Sequence, residues 1–423
     1  MPQFRIPADI ETGELPALIT PFLRIVIYNA FQNRIEQLQG RMRASPFAEI
    51  MLRQRHTLEF AIWDVVSFFC RYGRLPRMRR YEQPSSLDLR AYAFISLLTK
   101  VYGNVNSHAK AILTGRIQHA FNDENDLLSL EHEFVSIAHL MRFGCTVICH
   151  DMEETGGFDF IALRNGLEFE VECKMISNDK GRQIHQHDCL VLAECIEQSF
   201  DWPVFREKGG GVVIRLRIPA RLTRDHKTLV AMAEDIVRAP LSDHGITRDS
   251  WEIDYIPFKI AGTPFDAGIA PDLQQEKSFV RSLTRIQNDR LLIHAQQGQA
   301  AFIVSIQSMR PERTVAETYR TLKEGAMQFS CMRPALLLVA FQDLPAADLE
   351  YLAQNVKNNG FQGISTRLFK NMARQHLYGV NYIGDITYKV LPNGVLGSTG
   401  IVYKFINNAN PYKNDDRLRL DLR

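Results

Sequence analysis

Absences narrow the reading first. The seven cysteines, at 70, 145, 149, 173, 189, 195 and 331, include no Cys-x-x-Cys pair, and several sit in apolar strand or helix patterns. They read as reduced core residues of an intracellular protein. No apolar run approaches membrane-spanning length, and Met1-Pro2-Gln3-Phe4-Arg5-Ile6 lacks the apolar region of a signal peptide; a cytoplasmic protein is the expectation. Neither sign of charge dominates: 50 Lys+Arg against 48 Asp+Glu leaves +2, so a nucleic-acid surface has to be a local patch. There is no internal repeat and no low-complexity tract. Gly209-Gly210-Gly211 is followed by no Lys-Ser/Thr, so it makes no P-loop. His185 and His187 diverge by about 200° at helical spacing and have no cysteine pair to complete a zinc set; they read as surface histidines. Nothing resembles a covalent nucleophile with a paired histidine and acid.

The most informative stretch is one hairpin. Phe158 to Arg164 and Leu167 to Met175 alternate around Asn165-Gly166. Asn-Gly between alternating runs predicts a type I′ turn, which needs positive φ at both central residues. A two-residue turn sets Arg164 opposite Leu167 and, counting outward, Asp159 opposite Glu172. The period of two places Phe158, Phe160, Ala162, Leu167, Phe169, Val171, Cys173 and Met175 on a core face. Asp159, Glu168, Glu170, Glu172 and Lys174 share the other. Opposed carboxylates have Cβ atoms roughly 4.5–5.5 Å apart and repel, so something has to compensate them. A hard divalent ion suits, since Mg2+ is held by one or two carboxylates, waters and substrate phosphate. Lys174, on the same face, could orient a water or offset charge on a phosphate. The plain alternative is the solvated face of an ordinary hairpin.

Before it lies a helix, Leu127 to Met141, stopped by Gly144, and a strand, Cys145 to His150. With that order, Gly157-Phe158-Asp159-Phe160-Ile161-Ala162 and Val171-Glu172-Cys173-Lys174 resemble the PD-(D/E)XK, or restriction-endonuclease-like, nuclease superfamily. The Mrr-like and Holliday-junction-resolvase-like members look nearest. The likeness covers about residues 130–176, and Phe158 stands where proline is usual. It implies an α/β fold, a restriction-endonuclease-like mixed sheet flanked by helices. It also implies a nuclease dependent on Mg2+ (or Mn2+) that hydrolyses phosphodiester bonds, DNA foremost, with metal ligands Asp159, Glu172 and Glu133 and with Lys174 as a catalytic residue. Two arguments compete for the helical carboxylate. The apolar stripe of Leu127, Leu130, Phe134, Ala138 and Met141 puts Glu131 nearer its centre and Glu133 at its edge, whereas spacing to Gly144 matches the family pattern for Glu133. Glu133 is preferred.

Lys180, Arg182 and Gln183, just beyond the Glu172 strand, fall where related enzymes place phosphate contacts; a flexible loop is the rival reading. The basic, aromatic-interleaved segment Arg71 to Tyr81 offers Arg77, Arg79 and Arg80 to phosphates, against a solvated interhelical loop. Many such nucleases act as homodimers, and a nuclease fused to a helical domain suits an effector of restriction or antiviral defence. The rival class is a catalytically inactive nucleic-acid-binding or assembly protein that keeps the nuclease fold.

The 423 residues suggest two or three domains. Residues 1–121 read as a helical N-terminal domain, with helices at 18–42, 46–72, 87–102 and 106–121. Residues 122–345 read as the nuclease core with an insertion at about 205–295. In it, the apolar strand at Ala301 to Ile306, the helix from Val315 and the strand Pro334 to Phe341 are expected to complete the same sheet. Residues 346–423 read as two helices and a β-hairpin that could pack on the core or serve an interface.

Overall fold

The computed structural model describes residues 9–76, 84–121, 124–153, 157–242, 245–269, 272–286, 289–342, 344, 346–354 and 360–420. After a two-residue strand, β1 (Ile10–Glu11), the helix expected at 18–42 is two, α1 (Leu15–Val26) and α2 (Tyr28–Ala44), because Ile27 turns left-handed at φ 55°. The helix expected at 46–72 also divides, into α3 (Pro46–Arg55) and α4 (Thr57–Tyr72). α5 (Ser86–Asn104) begins at a capping box between Ser85 and Asp88, and α6 (Ser107–Ala120) at an Asn106 side chain that accepts from Ala109 N. Then come α7 (Glu124–Arg142), β2 (Thr146–Cys149), the single-turn α8 (His150–Glu153), β3 (Phe160–Arg164) and β4 (Leu167–Ile176). Next are α9 (Gln186–Ser199), α10 (Trp202–Lys208), β5 (Gly210–Ile218), α11 (His226–Arg238), β6 (Ile246–Thr247) and β7 (Glu252–Phe258). α12 (Leu273–Thr284), β8 (Arg290–Gln296), β9 (Ala300–Ser308), α13 (Thr314–Ala326) and β10 (Ala335–Phe341) follow. The chain closes with α14 (Ala346–Gln354), α15 (Phe361–Phe369), β11 (Leu377–Val390) and β12 (Val395–Ile406).

The class is mixed α/β, and the chain divides into two compact units. One comprises Met1–Ile35, His56–Lys180 and Thr314–Arg423, the other Glu36–Arg55 and Gly181–Arg313. The first holds a seven-stranded sheet of order β1-β12-β11-β10-β4-β3-β2. β10 runs parallel to both β4 and β11, while β2–β3–β4 and β11–β12 are antiparallel. Ala335, Leu337 and Val339 of β10 face Leu322 of α13, Leu349 of α14 and Phe361 of α15 in one apolar cluster. On the opposite side α7 lies over β4 and α5 over β11. Two helical layers on a central sheet give β10 its continuous run of buried residues.

Two expectations change and one open point closes. The helices of residues 1–121 are not a separate domain, since α5 packs on β11 and α7, and β1 pairs with β12. The C-terminal hairpin, whose place the sequence leaves open, packs on the core, since β11 and β12 extend the sheet beside β10. β9 does not complete that sheet. It lies between β5 and β8 in a five-stranded sheet of order β6-β7-β5-β9-β8 in the second unit, where Val213, Phe265, Val280, Ile293 and Ile303 form a core. A run of apolar residues marks a strand as central without saying in which sheet. The insertion is accordingly wider than 205–295, reaching from Gly181 to Arg313, whose backbone N donates to Gly181 O at 2.7 Å.

Candidate functional site

β3 and β4 pair from Arg164↔Leu167 to Phe160↔Val171, the register expected from the Asn165-Gly166 turn, with φ of 48° and 78°. Pairing stops there while β4 runs on to Ile176, so the next backbone donors need partners. Two carboxylates provide them. Asp159 Oδ2 accepts from Cys173 N at 2.6 Å, and Glu172 Oε2 accepts from Asp159 N at 3.1 Å. The acids are thereby held crosswise at the open end of the hairpin.

Glu172 is 2% exposed and its Oε1 pairs with Lys174 Nζ. By register Glu172 lies beside Leu337 and Lys174 beside Val339, under α13. Phe158 precedes the strand and joins Ile161 in that cluster rather than Phe160, a correction to its expected face. The acidic face is not a solvated one either. Glu170 is 0% exposed, accepting from Ser330 N at 2.8 Å and from Arg333, and only Glu168 is exposed.

Two helices add carboxylates. Glu133 of α7 and Asp151 of α8 each bring an oxygen to within 4.8 Å of one another and of Asp159. α8 is placed by its own backbone, His150 N donating to Asp159 O at 2.9 Å. Between two of these acids lies Arg116 of α6. Its Nη2 donates to Glu133 Oε1 at 2.5 Å and Oε2 at 2.7 Å, and its Nη1 to Asp151 Oδ2 at 2.9 Å. Glu131 is not part of the group, being paired instead with Arg90 at 2.5–2.6 Å.

So many acids in a buried place resist ionisation. Burial pushes Asp159 well above the usual carboxylate range, and Glu133 and Glu172 push further. Burial raises Glu133 and Asp151 too, with Arg116 opposing it in both. Glu172 rises to about 7, burial outweighing Lys174. Burial disfavours the charge on Arg116, but Glu133 and Asp151 more than offset this and its pKa is raised.

Of the residues expected from sequence, Asp159, Glu172, Lys174 and Glu133 come together. Asp151 joins the expected ligands Asp159, Glu172 and Glu133: among the described residues Glu133, Asp151 and Asp159 are mutually close, while Glu172 accepts from Asp159 N and pairs with Lys174. Hard oxygens alone make up this group, and Asp151 Oδ1 is enclosed with no hydrogen-bond partner among the described residues. Such a donor set fits a hard divalent cation.

Asp151 was legible in principle. It follows β2, and in an antiparallel pair the end of one strand adjoins the start of the next, where Asp159 sits. Arg116 borders the buried stripe of Leu113, Ile117 and Ala120 and carries no such signal.

Arg77, Arg79 and Arg80 lie outside the described residues. Lys180 is half-buried in a turn, its N donating to Ser177 O. In the second unit Arg182 is half-buried, its carbonyl bonded to His185 Nε2. Gln183 is corrected: it is 8% exposed and its side-chain amide donates to Pro311 O at 3.0 Å, holding the fold rather than facing a phosphate. No family model, curated protein or solved structure matches this chain.

Proposed function

We propose that this chain is a metal-dependent nuclease hydrolysing phosphodiester bonds, in DNA foremost, with a PD-(D/E)XK-type site. One observation carries the reading: Asp159 and Glu172 are bracketed across the end of a hairpin, with Lys174 on Glu172 and with Glu133 and Asp151 beside Asp159. The strand order supports it. The run α7, β2, β3, β4 follows the helix, strand, hairpin order expected of such a nuclease core, and it is followed, after the Gly181–Arg313 segment, by α13 and a β10 parallel to β4.

Asp159, Glu133 and Asp151 would hold Mg2+ or Mn2+. Bound there, the ion supplies Lewis acidity toward a phosphoryl oxygen and lowers the pKa of a water. The chain's own residues do the rest. The Lys174 ammonium is positioned by Glu172 to orient the attacking water or to offset charge on the phosphate. Glu172 also fixes the backbone of Asp159, and Asp159 fixes that of Cys173, so the acids are set before substrate arrives.

The test is a panel of labelled single-stranded, double-stranded and branched DNA and RNA, with and without Mg2+ or Mn2+. The wild type should cleave, with Glu172→Ala and Lys174→Ala losing about a hundredfold or more. Undiminished cleavage by either variant would remove the site. A second reading is a nucleic-acid-binding protein without turnover, favoured by the fact that Arg116 and Lys174 already neutralise Glu133, Asp151 and Glu172. Calorimetry separates the two. Absence of Mg2+ or Mn2+ binding, with Asp159→Asn behaving like wild type, would leave only the second.

A further inference from the structure

Arg116 plays no part in the proposed hydrolysis, yet it occupies the centre of the site. Its guanidinium makes three hydrogen bonds to two of the three carboxylates that stand within reach of one cation. Both Glu133 oxygens face the same Nη2, and Glu133 is only 6% exposed. No other oxygen of Glu133 exists to offer to an ion. A divalent cation binding Glu133 therefore competes with the guanidinium for the same two oxygens.

We propose that Arg116 is the resident cation of this site, one with which a divalent ion has to compete for Glu133 when it binds. This rests on the metal-dependent nuclease reading and adds a regulation to it. The arginine offsets the charge of two neighbouring acids that would otherwise repel each other. Breaking one buried pair leaves a carboxylate uncompensated unless another cation arrives, so exchange of one cation for the other is the low-energy route. The fork of Arg116 bridges the two acids as a point charge could not. Its side chain is 29% exposed, so it has a solvent side toward which to withdraw. The intrinsic affinity of the acids for a divalent ion is thereby lowered by the strength of the arginine pairs.

The experiment is calorimetric titration of the full-length chain with Mn2+, free of nucleic acid, comparing wild type, Arg116→Met, Arg116→Lys and Asp159→Asn. Charge-assisted hydrogen bonds are strong enough that Arg116→Met is expected to bind Mn2+ about tenfold more tightly or better. Arg116→Lys, which retains a cation and hence the fold but cannot span both acids, should tighten binding by several-fold, roughly. Circular dichroism confirms that each variant is folded, and Arg116→Lys carries the test should Arg116→Met not be. A folded variant that binds no more tightly than wild type overturns the role of Arg116 while leaving the metal site in place. Saturable binding in none of the arginine variants or the wild type overturns the metal site and the inference together. Binding lost on Asp159→Asn and gained on Arg116→Met supports both.

Discussion

A buried carboxylate reports its surroundings through pH, and Glu172 does so most readably. Its pKa rises from an ordinary 4.5 to about 7 because burial outweighs Lys174. The folded chain therefore keeps a proton there that the unfolded chain releases. The stability tied to that proton is complete below about 4.5 and is lost as pH rises through about 7. Glu172→Gln stays neutral throughout and can still accept from Asp159 N. In urea melts under chelator it should gain on wild type across that window and keep that gain, running parallel to wild type, above it. A difference that stays flat with pH would show that the attraction of Lys174 fully offsets the burial of Glu172 in the folded state. At this scale the sequence was informative where spacing fixes contact. The Asn165-Gly166 turn sets the register that brings Asp159 to Glu172, whereas the partner of Glu133 comes from a residue 17 positions away on another helix. No local pattern encodes that distance.

Elements were legible when they were long and punctuated. α7 has its stop at Gly144, α5 its capping box, and β10 its apolar run. α8 was not, since one turn shows no period, and Asp151 was open to reading only through its place after the end of β2. How closely elements approach was also hidden, and Gly325 is the case with consequences. A Cβ on this residue of α13 would come 2.9 Å from Leu337 Cδ1 and 3.1 Å from Lys174 Cε. Alanine is preferred over glycine in a helix by about 1 kcal/mol, but overpacking costs about 1–3 kcal/mol. Gly325→Ala should therefore lose no more than about 2 kcal/mol in denaturant melts. Cleavage should fall out of proportion, by about tenfold or more, because the displaced stem carries the Lys174 ammonium away from its place. Full activity in this variant would mean that α13 does not position Lys174.

At the scale of the whole chain, two excursions build the second unit, and both leave and rejoin the first at neighbouring points. Arg313 N donates to Gly181 O at 2.7 Å, and Arg34 Nε stands 3.7 Å from Glu59 Oε2 on either side of residues 36–55. Composition does not change at these crossings, which is why the sequence marked only part of the larger one. The excursions depend on each other. α3, on the shorter, packs on β8 and α9 of the longer and buries Phe47, Met51 and Leu52. Replacing 182–312 alone with a short Gly-Ser linker should then strand those three side chains, each worth about 1.5–3 kcal/mol when buried. That protein should bind a hydrophobic dye and precipitate. Replacing 36–55 in the same way as well removes the stranded face, and the remaining chain keeps all seven strands of its sheet. It should be soluble and unfold in one cooperative transition. If the single replacement is as soluble as the double one, α3 does not depend on the longer excursion for its burial and belongs with the first unit instead.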